Sequence, residues 1–394
     1  MQQLKLTNEN LNTIPSYVFE NTQLELLDLS NNNLTDIPQD ILKLTNLKIL
    51  FLSNNKFTHI PNHLSQLNLQ MLSFKSNELT DLSNCQLSKS LVWLMLTNNK
   101  INKLFDFTNL TNLRKLAMSG NLIETIPESI KFCQNLELVR FSNNSLLHIP
   151  LWFFDLPKLS FFAFGANPCL NDERNNLQVI NYDDIILDGL LGSGASGKVY
   201  KSFYNNKNVA VKLFHGVATG DGLCETELNI LSLLDRHENL LEIYAKMEGG
   251  VIMELLDDYK VLGCVPSFDT VTRDIINVDL PFSEILRICK GVCSAMVYLS
   301  FKQIIHGDLY AHNILYNDNI VKLTDFGASF YVESKDVYQK MELNEVRSFG
   351  YLLQDLVNIS SDNCRLFDNL INQCLDEVND RPQFWKICEQ LKLL

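Results

Sequence analysis

Seven asparagines, at 32, 55, 77, 99, 121, 144 and 167, fall 22 or 23 residues apart, and Glu9 holds the same phase ahead of them. No other feature of the chain restricts its fold as strongly, because a period of this length marks a stacked array of short units. Each asparagine closes a block such as LLDLSNN or ILFLSNN, in which leucine-like residues alternate with others. The alternation predicts a short strand whose leucines (Leu27 and Leu29, then Leu50 and Leu52) point inward. The asparagine amide can satisfy backbone groups where the chain bends after the strand. No copy can bury its apolar side alone, so the copies must stack. Ile-Pro pairs beginning at 14, 37, 60, 126 and 149 mark the start of each outer segment, where a missing backbone donor is tolerated.

The blocks follow the leucine-rich repeat pattern LxLxxNxL, so residues 1–167 are expected to form an α/β solenoid of seven to eight repeats. Strand residues that alternate outward would line its concave face: Asp28, Phe51, Ser73, Met95, Ala117, Arg140 and Ala163, flanked by Ile49, Trp93, Lys115, Leu138 and Phe161. Ile49, Phe51, Trp93 and Met95 beside Lys115 and Arg140 form a candidate protein-binding patch, since contiguous exposed apolar surface usually has a use. The alternative is that neighbouring side chains or the rest of the chain cover it.

Charge divides the chain at the same place. Basic and acidic residues balance up to Asn167, so the net charge of −13 lies wholly beyond it. An acidic second half disfavours nucleic acid or an anionic membrane as the main partner. The greasiest run, LWFFDLPKLSFFAFGA, is interrupted by Asp155, Pro157 and Lys158, and the N-terminal stretch lacks the basic and apolar regions of a signal peptide. No transmembrane anchor and a cytoplasmic location are expected, in the protein's own cell or, after translocation, in a host. The ten cysteines include no CxxC pair, which argues for reduced thiols; Cys289 and Cys293, one helical turn apart, are read as core residues rather than metal ligands.

After a polar connector at 168–184, the stretch LGSGASGKVYK allows two phosphate-binding readings. Gly192, Gly197 and Lys198 satisfy the P-loop spacing, and Gly192, Gly194 and Gly197 satisfy GxGxxG. A P-loop requires Ser or Thr after the lysine and a helix from that point. Here Val199 follows, and KVYKSFYNNKNVAVKLF alternates with period two, which predicts two strands joined by a turn. VAVK then places Lys212 on the second of these strands. Glu227 follows 15 residues later in an amphipathic helix, with Glu225 as a competitor in poorer helical phase with Leu231. IIHGDLYAHNILYN and VKLTDFGAS come next. A lone glycine motif is weak evidence, but this ordered set is specific.

Residues 185–394 resemble the protein-kinase fold, with an N-lobe over about 185–254 and a C-lobe over about 257–394. The whole chain resembles bacterial leucine-rich-repeat protein kinases in its AVKLF...DG, TRD, HGDLYAHN and EVRSFG stretches. The expected architecture is therefore the α/β solenoid followed by an α+β two-lobed protein-kinase-like domain. The resemblance implies ATP and Mg²⁺ as cofactors and assigns roles by position. Gly192, Gly194 and Gly197 would admit the phosphates. Lys212, held by Glu227, would pair with the α- and β-phosphates. Val199 and Ala210 would cover the adenine, with Leu315 beneath it. Met253 would be the gatekeeper, with Glu254 and Leu256 bonding the adenine edge. Asp308 would be the catalytic base, and Asn313 and Asp325 the metal ligands. His306 would pack under Phe326.

Several positions depart from the family pattern. Gly307 replaces the arginine before the catalytic aspartate, so no cation is present there for a phosphorylated activation loop to neutralise. Only 17 residues separate Gly327 from Glu345, which stands at the head of the EVRSFGYLLQDL helix where an aspartate is usual, and an APE motif is missing. Glu333 is the candidate substitute and would pair with Arg381. Tyr310 and His312 differ from both the serine/threonine and tyrosine patterns. The leading expectation is a serine/threonine protein kinase whose repeats recruit a protein partner or substrate. The alternative is an ATP-binding pseudokinase scaffold.

Overall fold

The computed structural model describes residues 1–170, 177–194, 196–216, 219–220 and 222–394, without the side chain of Asp184. Part of the connector expected at 168–184, and Asp221 of the quoted resemblance, lie outside the described residues. Contacts divide the chain into two compact units: Met1–Leu159 with Asn167–Cys169, and Ser160–Ala166 with Leu170–Leu394. Residues 160–166, which the expected repeat domain 1–167 includes, group by contacts with the second unit.

In the first unit, β1 (Gln3–Lys5), β2 (Leu26–Asp28), β3 (Ile49–Phe51), β4 (Met71–Ser73), β5 (Trp93–Met95), β6 (Lys115–Ala117) and β7 (Leu138–Arg140) pair in sequence order, parallel and in register. The asparagines hold successive turns together. Asn55 donates through Nδ2 to the carbonyls of Leu29 (3.0 Å) and Leu52 (3.2 Å), and its Oδ1 accepts from the Leu34 amide at 2.9 Å. Asn77, Asn99, Asn121 and Asn144 repeat this pattern one turn further each time. The residue before each ladder asparagine turns the chain through positive φ: Asn31, Asn54, Asn98 and Asn143 lie between 53° and 59°. Asparagine tolerates that conformation better than other L-residues, which accounts for the recurring Asn-Asn pairs. Short 3₁₀ turns begin directly after Pro15, Pro38, Pro61, Pro127 and Pro150.

The inner face is less open than strand alternation suggests. Leu26, Ile49 and Met71 form a buried cluster onto which Phe51, Trp93 and Met95 pack half-buried. Parallel in-register strands set such side chains in rows about 4.8 Å apart, close enough to cover one another. Ile49 and Arg140 are each only 5% exposed, and Leu138, Phe161 and Ala163 are buried too. Lys115 lies over the Trp93 ring, 4.0 Å from its centroid.

In the second unit, β8 (Phe161–Ala163) precedes a five-stranded antiparallel sheet. That sheet contains β9 (Leu187–Ser193), β10 (Gly197–Tyr204), β11 (Lys207–Phe214), β12 (Ile243–Met247) and β13 (Gly250–Glu254) in the order β12-β13-β11-β10-β9. Asn205 and Asn206, both at positive φ, make the two-residue turn between β10 and β11, as hairpin twist requires. Strand β10 follows Gly194 where a P-loop would start a helix. Helix α1 (Cys224–Leu233) carries Glu227.

Helix α2 (Phe282–Phe301) buries Ile285, Ile288, Cys289, Val292, Met296 and Leu299, a stripe of helical period at the centre of the larger core. Three short pairings complete this part: β14 (Lys260–Val261) with β16 (Ile314–Tyr316), β16 with β17 (Val321–Leu323), and β15 (Ile304–Ile305) with β18 (Phe330–Tyr331). Helix α3 (Lys335–Ile359) starts well before Glu345, where the sequence reading placed its head. Ser334 caps it by accepting from the Val337 amide, and Asp336 sits in its positive first turn. Helices α4 (Asp368–Leu375) and α5 (Phe384–Leu393) finish the unit. No helix among the described residues is long and apolar enough to cross a membrane.

Replacing Asn55 by alanine would orphan buried backbone groups in two adjacent turns. We expect a loss of about 1–3 kcal/mol for each group left unsatisfied, read as a lowered midpoint in chemical denaturation of the full chain.

Candidate functional site

A cavity of about 580 Å³ opens between the five-stranded sheet and the β16–β17 hairpin, a size suited to a small-molecule ligand. Val199 and Ala210 line one wall, Leu315 another, and Met253, Glu254 and Leu256 the strand end between them. The glycines of the β9–β10 corner serve two purposes. A Cβ at Gly192 or Gly194 would meet nothing within 4 Å, so the backbone there stays open to a ligand. A Cβ at Gly197 would stand 2.2 Å from the Leu213 carbonyl, so that glycine is needed for the strands to approach.

Lys212 projects from β11 and its Nζ lies 2.7 Å from Glu227 Oε1, with the two side chains 11% and 5% exposed. Burial would push the lysine's pKa down, but the charges of Glu227 and Asp325 and the Glu227 hydrogen bond raise it above its ordinary value. It therefore stays a cation. Both partners and Asp325 line the cavity. Glu225, the competing helix carboxylate, is exposed.

The loop before β16 presents Asp308 and Asn313. The Asn313 amide donates to the Asp308 carbonyl (2.9 Å) and to Asp308 Oδ2 (3.2 Å), while the Asn313 carbonyl accepts from both the amide and the hydroxyl of Thr324 at 2.9 Å. That last contact ties the loop to β17 and hence to Asp325, whose φ of 60° is unusual for a non-glycine residue. His306 is buried edge-on to Phe326, 5.1 Å between centroids, with Nε2 3.2 Å from the Thr324 carbonyl oxygen.

Asn313 uses its amide N–H on Asp308 and keeps Oδ1 as a lone-pair donor, and Asp325 adds a carboxylate. These are two hard oxygen donors of the kind that could hold a divalent cation. The described residues contain no cluster of three or more His, Cys, Asp or Glu that could hold a metal without a ligand's help. Cys289 and Cys293 are buried in the core and form no disulfide.

Two further contacts beside the cavity carried no signal in the sequence. His312 Nδ1 sits 2.9 Å from Asp274 Oδ1, and its backbone N–H donates to Asp274 Oδ2 at 2.8 Å. Burial pushes the imidazole pKa down, but the Asp274 hydrogen bond and charge, with Asp308 and Asp325 adding to them, hold it above its ordinary value. Asp274 lies in the TRD stretch, whose residues alone do not indicate this contact. Lys322 pairs with Glu254 at 2.7 Å and steadies the strand end beside the cavity.

Glu345 is fully buried and accepts the Gly307 amide at 2.7 Å. Glu333 is exposed, whereas Arg381 is buried and donates to the carbonyls of Asp376 (2.9 Å) and Leu343 (3.0 Å), so the geometry lends their expected pairing no support. Ser334 caps α3 immediately after Glu333, which leaves no room for an APE-like segment.

The model of protein tyrosine and serine/threonine kinases matches residues 185–352, and a leucine-rich repeat model matches 1–57 and 22–79. The chain thus joins leucine-rich repeats to a protein tyrosine and serine/threonine kinase domain. It is 31% identical over 214 residues to a tyrosine-protein kinase of Spongilla lacustris, covering 48% of this chain and 57% of that protein. It is 26% identical over 289 residues to a probable LIM domain-containing serine/threonine-protein kinase of Dictyostelium discoideum, covering 60% of this chain and 29% of that one. A tyrosine-protein kinase of Caenorhabditis elegans is 30% identical over 174 residues, with 42% and 31% covered. The chain therefore spans 57% or less of the length of these relatives. They are eukaryotic and include both acceptor classes, so they support neither a bacterial origin nor a choice of acceptor.

Desolvation raises the Glu345 carboxyl to about 8, against the hydrogen bond from Gly307 that lowers it. A carboxyl that gains proton affinity on folding stabilises the fold most below its unfolded pKa of 4.5, and that contribution fades as pH rises towards 8. We expect Glu345→Gln to make the fall of melting temperature across this window shallower. Some slope should remain, because burial raises Glu342 as well.

Proposed function

We propose that the chain is a magnesium-dependent protein kinase that transfers the γ-phosphoryl group of ATP to a serine or threonine hydroxyl of a protein. The observation that carries the reading is the buried Lys212–Glu227 pair, formed at 2.7 Å inside the cavity that Asp325 also enters. A cation fixed in this way suits the α- and β-phosphates, and the open glycine corner lets backbone N–H groups reach the same phosphates. Val199, Ala210 and Leu315 offer apolar faces for the adenine. Beside Met253, the backbone at Glu254 and Leu256 supplies hydrogen-bonding groups for its edge.

Asp308 is assigned as the base that orients the acceptor hydroxyl and takes its proton. Its partner Asn313 holds the carboxylate in place and, with Asp325, would bind the metal. Mg²⁺ bound there neutralises charge on the transferring phosphoryl group. Phosphoryl transfer requires chiefly positioning and electrostatic stabilisation, and this set of residues supplies both. The resemblance to bacterial repeat kinases rests on the four stretches quoted above. The ten cysteines include no CxxC pair, which accords with reduced thiols and a cytoplasmic location.

Asp308→Asn should lower phosphate transfer from labelled ATP by about 10² to 10⁴, while thermal stabilisation by ATP and magnesium persists. Binding without transfer in the unmodified chain would overturn the kinase reading in favour of a scaffold. Phosphoamino-acid analysis of the labelled product separates serine and threonine from tyrosine.

The repeat unit is assigned the recruitment of a protein partner or substrate through Phe51, Trp93, Met95 and Lys115. Ile49 supports this patch from beneath, and buried Arg140 is a poor candidate for contact. Trp93→Ala should raise KM for a protein substrate and leave turnover of a short peptide unchanged, as steady-state kinetics on both would show.

A further inference from the structure

The segment 160–166, expected to finish the repeats, groups with the second unit. Phe161, 2% exposed, stacks on Tyr310 with centroids 3.9 Å apart and ring planes within 7°. Tyr310 stacks in turn on His312 at 4.9 Å, and Asp274 clamps His312 from its backbone and its ring. One residue on, the Phe162 amide donates to the Gly307 carbonyl at 3.0 Å. The Phe162 carbonyl oxygen lies 2.3 Å from where a Cβ on residue 307 would stand, and Gly307 has a φ of 76°. Glycine is therefore the residue that this contact admits.

The same segment reaches two further elements. Phe162 and Phe164 pack on Phe330 at 6.2 and 6.1 Å. A Cβ on Gly165 would come 3.0 Å from Thr226 Cγ2 and 3.4 Å from the Ser329 carbonyl. Thr226 immediately precedes Glu227 on α1, and Ser329 and Phe330 follow Asp325 by a few residues. Four residues of this segment thus touch the three pieces of chain that carry Glu227, Asp308 and Asp325.

We propose that residues 160–166 are a built-in strap that positions these three acidic side chains together, with Phe161 as its principal positioning residue. The proposal deepens the kinase reading and rests on it for its effect on turnover. The strap takes the place of a longer segment after Gly327, which this chain lacks. Alignment of the site is then a constant property of the fold and needs no phosphorylation near Ser329 or Tyr331. Phe161 and Tyr310 touch no reacting atom. Their effect reaches Asp308 through the backbone of the loop and through the His312–Asp274 clamp.

The test uses the full chain with Phe161→Ala, Phe161→Leu and Phe161→Tyr. It measures kcat, KM for ATP, and amide hydrogen exchange over 224–233 and 306–313. We expect Phe161→Ala to lower kcat by about 10²-fold, as small misalignment at a reacting centre does, with KM for ATP nearly unchanged and exchange faster over both segments. Phe161→Tyr, which keeps the flat ring, should restore both readouts. Phe161→Leu, which keeps apolar bulk without the ring plane, should fall between them and serves if the alanine variant does not fold. A kcat and an exchange pattern that remain unchanged in both Phe161→Ala and Phe161→Leu would overturn the strap. If the unmodified chain transfers no phosphate, the kinase reading fails separately. Exchange alone then decides: faster exchange in the variants upholds the strap, and equal exchange overturns it.

Discussion

A lysine and a glutamate, both nearly out of water and 2.7 Å apart, join the five-stranded sheet to helix α1. Neither charge could remain there alone: removing one partner of a buried pair typically costs about 3–5 kcal/mol, because the other is left unpaired. The pair therefore fixes how closely the helix approaches the strand. That approach sets the width of the cavity and places one positive charge where anionic groups can reach it. Asp325 adds its own charge from the far side, so the lysine is held as a cation by two acids on separate elements.

The repeats and the site solve the same problem in different ways. Both must satisfy polar groups that folding removes from water. In the repeats, each ladder asparagine answers donors and acceptors of two neighbouring turns, and the solution recurs along the stack. At the site the groups belong to distant parts of the sequence. Asn313 answers Asp308, Thr324 answers Asn313, and Glu345 answers Gly307. The first arrangement tolerates small variations between copies, whereas the second depends on each member.

This difference explains what could be read from the sequence. The asparagine period, the paired strands around Asn205 and Asn206, the cavity-lining apolar residues and the lysine–glutamate spacing are local patterns, or ordered sets of them, and were legible. The head of α3 was not legible, because Glu345 marks the motif while the physical start is the Ser334 cap. The Asp274–His312 clamp joins residues 38 positions apart with no periodic signal. Exposure of Ile49 and Arg140 was overestimated because alternation tells which way a side chain points but not what its neighbours cover. Gly307 was visible as an anomaly, but its cause lies in the Phe162 carbonyl, far away in the chain.

That carbonyl also limits which sequences can succeed this one. With 2.3 Å between it and any Cβ at position 307, an arginine cannot be accommodated there while segment 160–166 stays where it is. The backbone would have to withdraw first, exposing Phe161 and unstacking Tyr310. Glycine at 307 and the course of the chain at 162 therefore depend on each other.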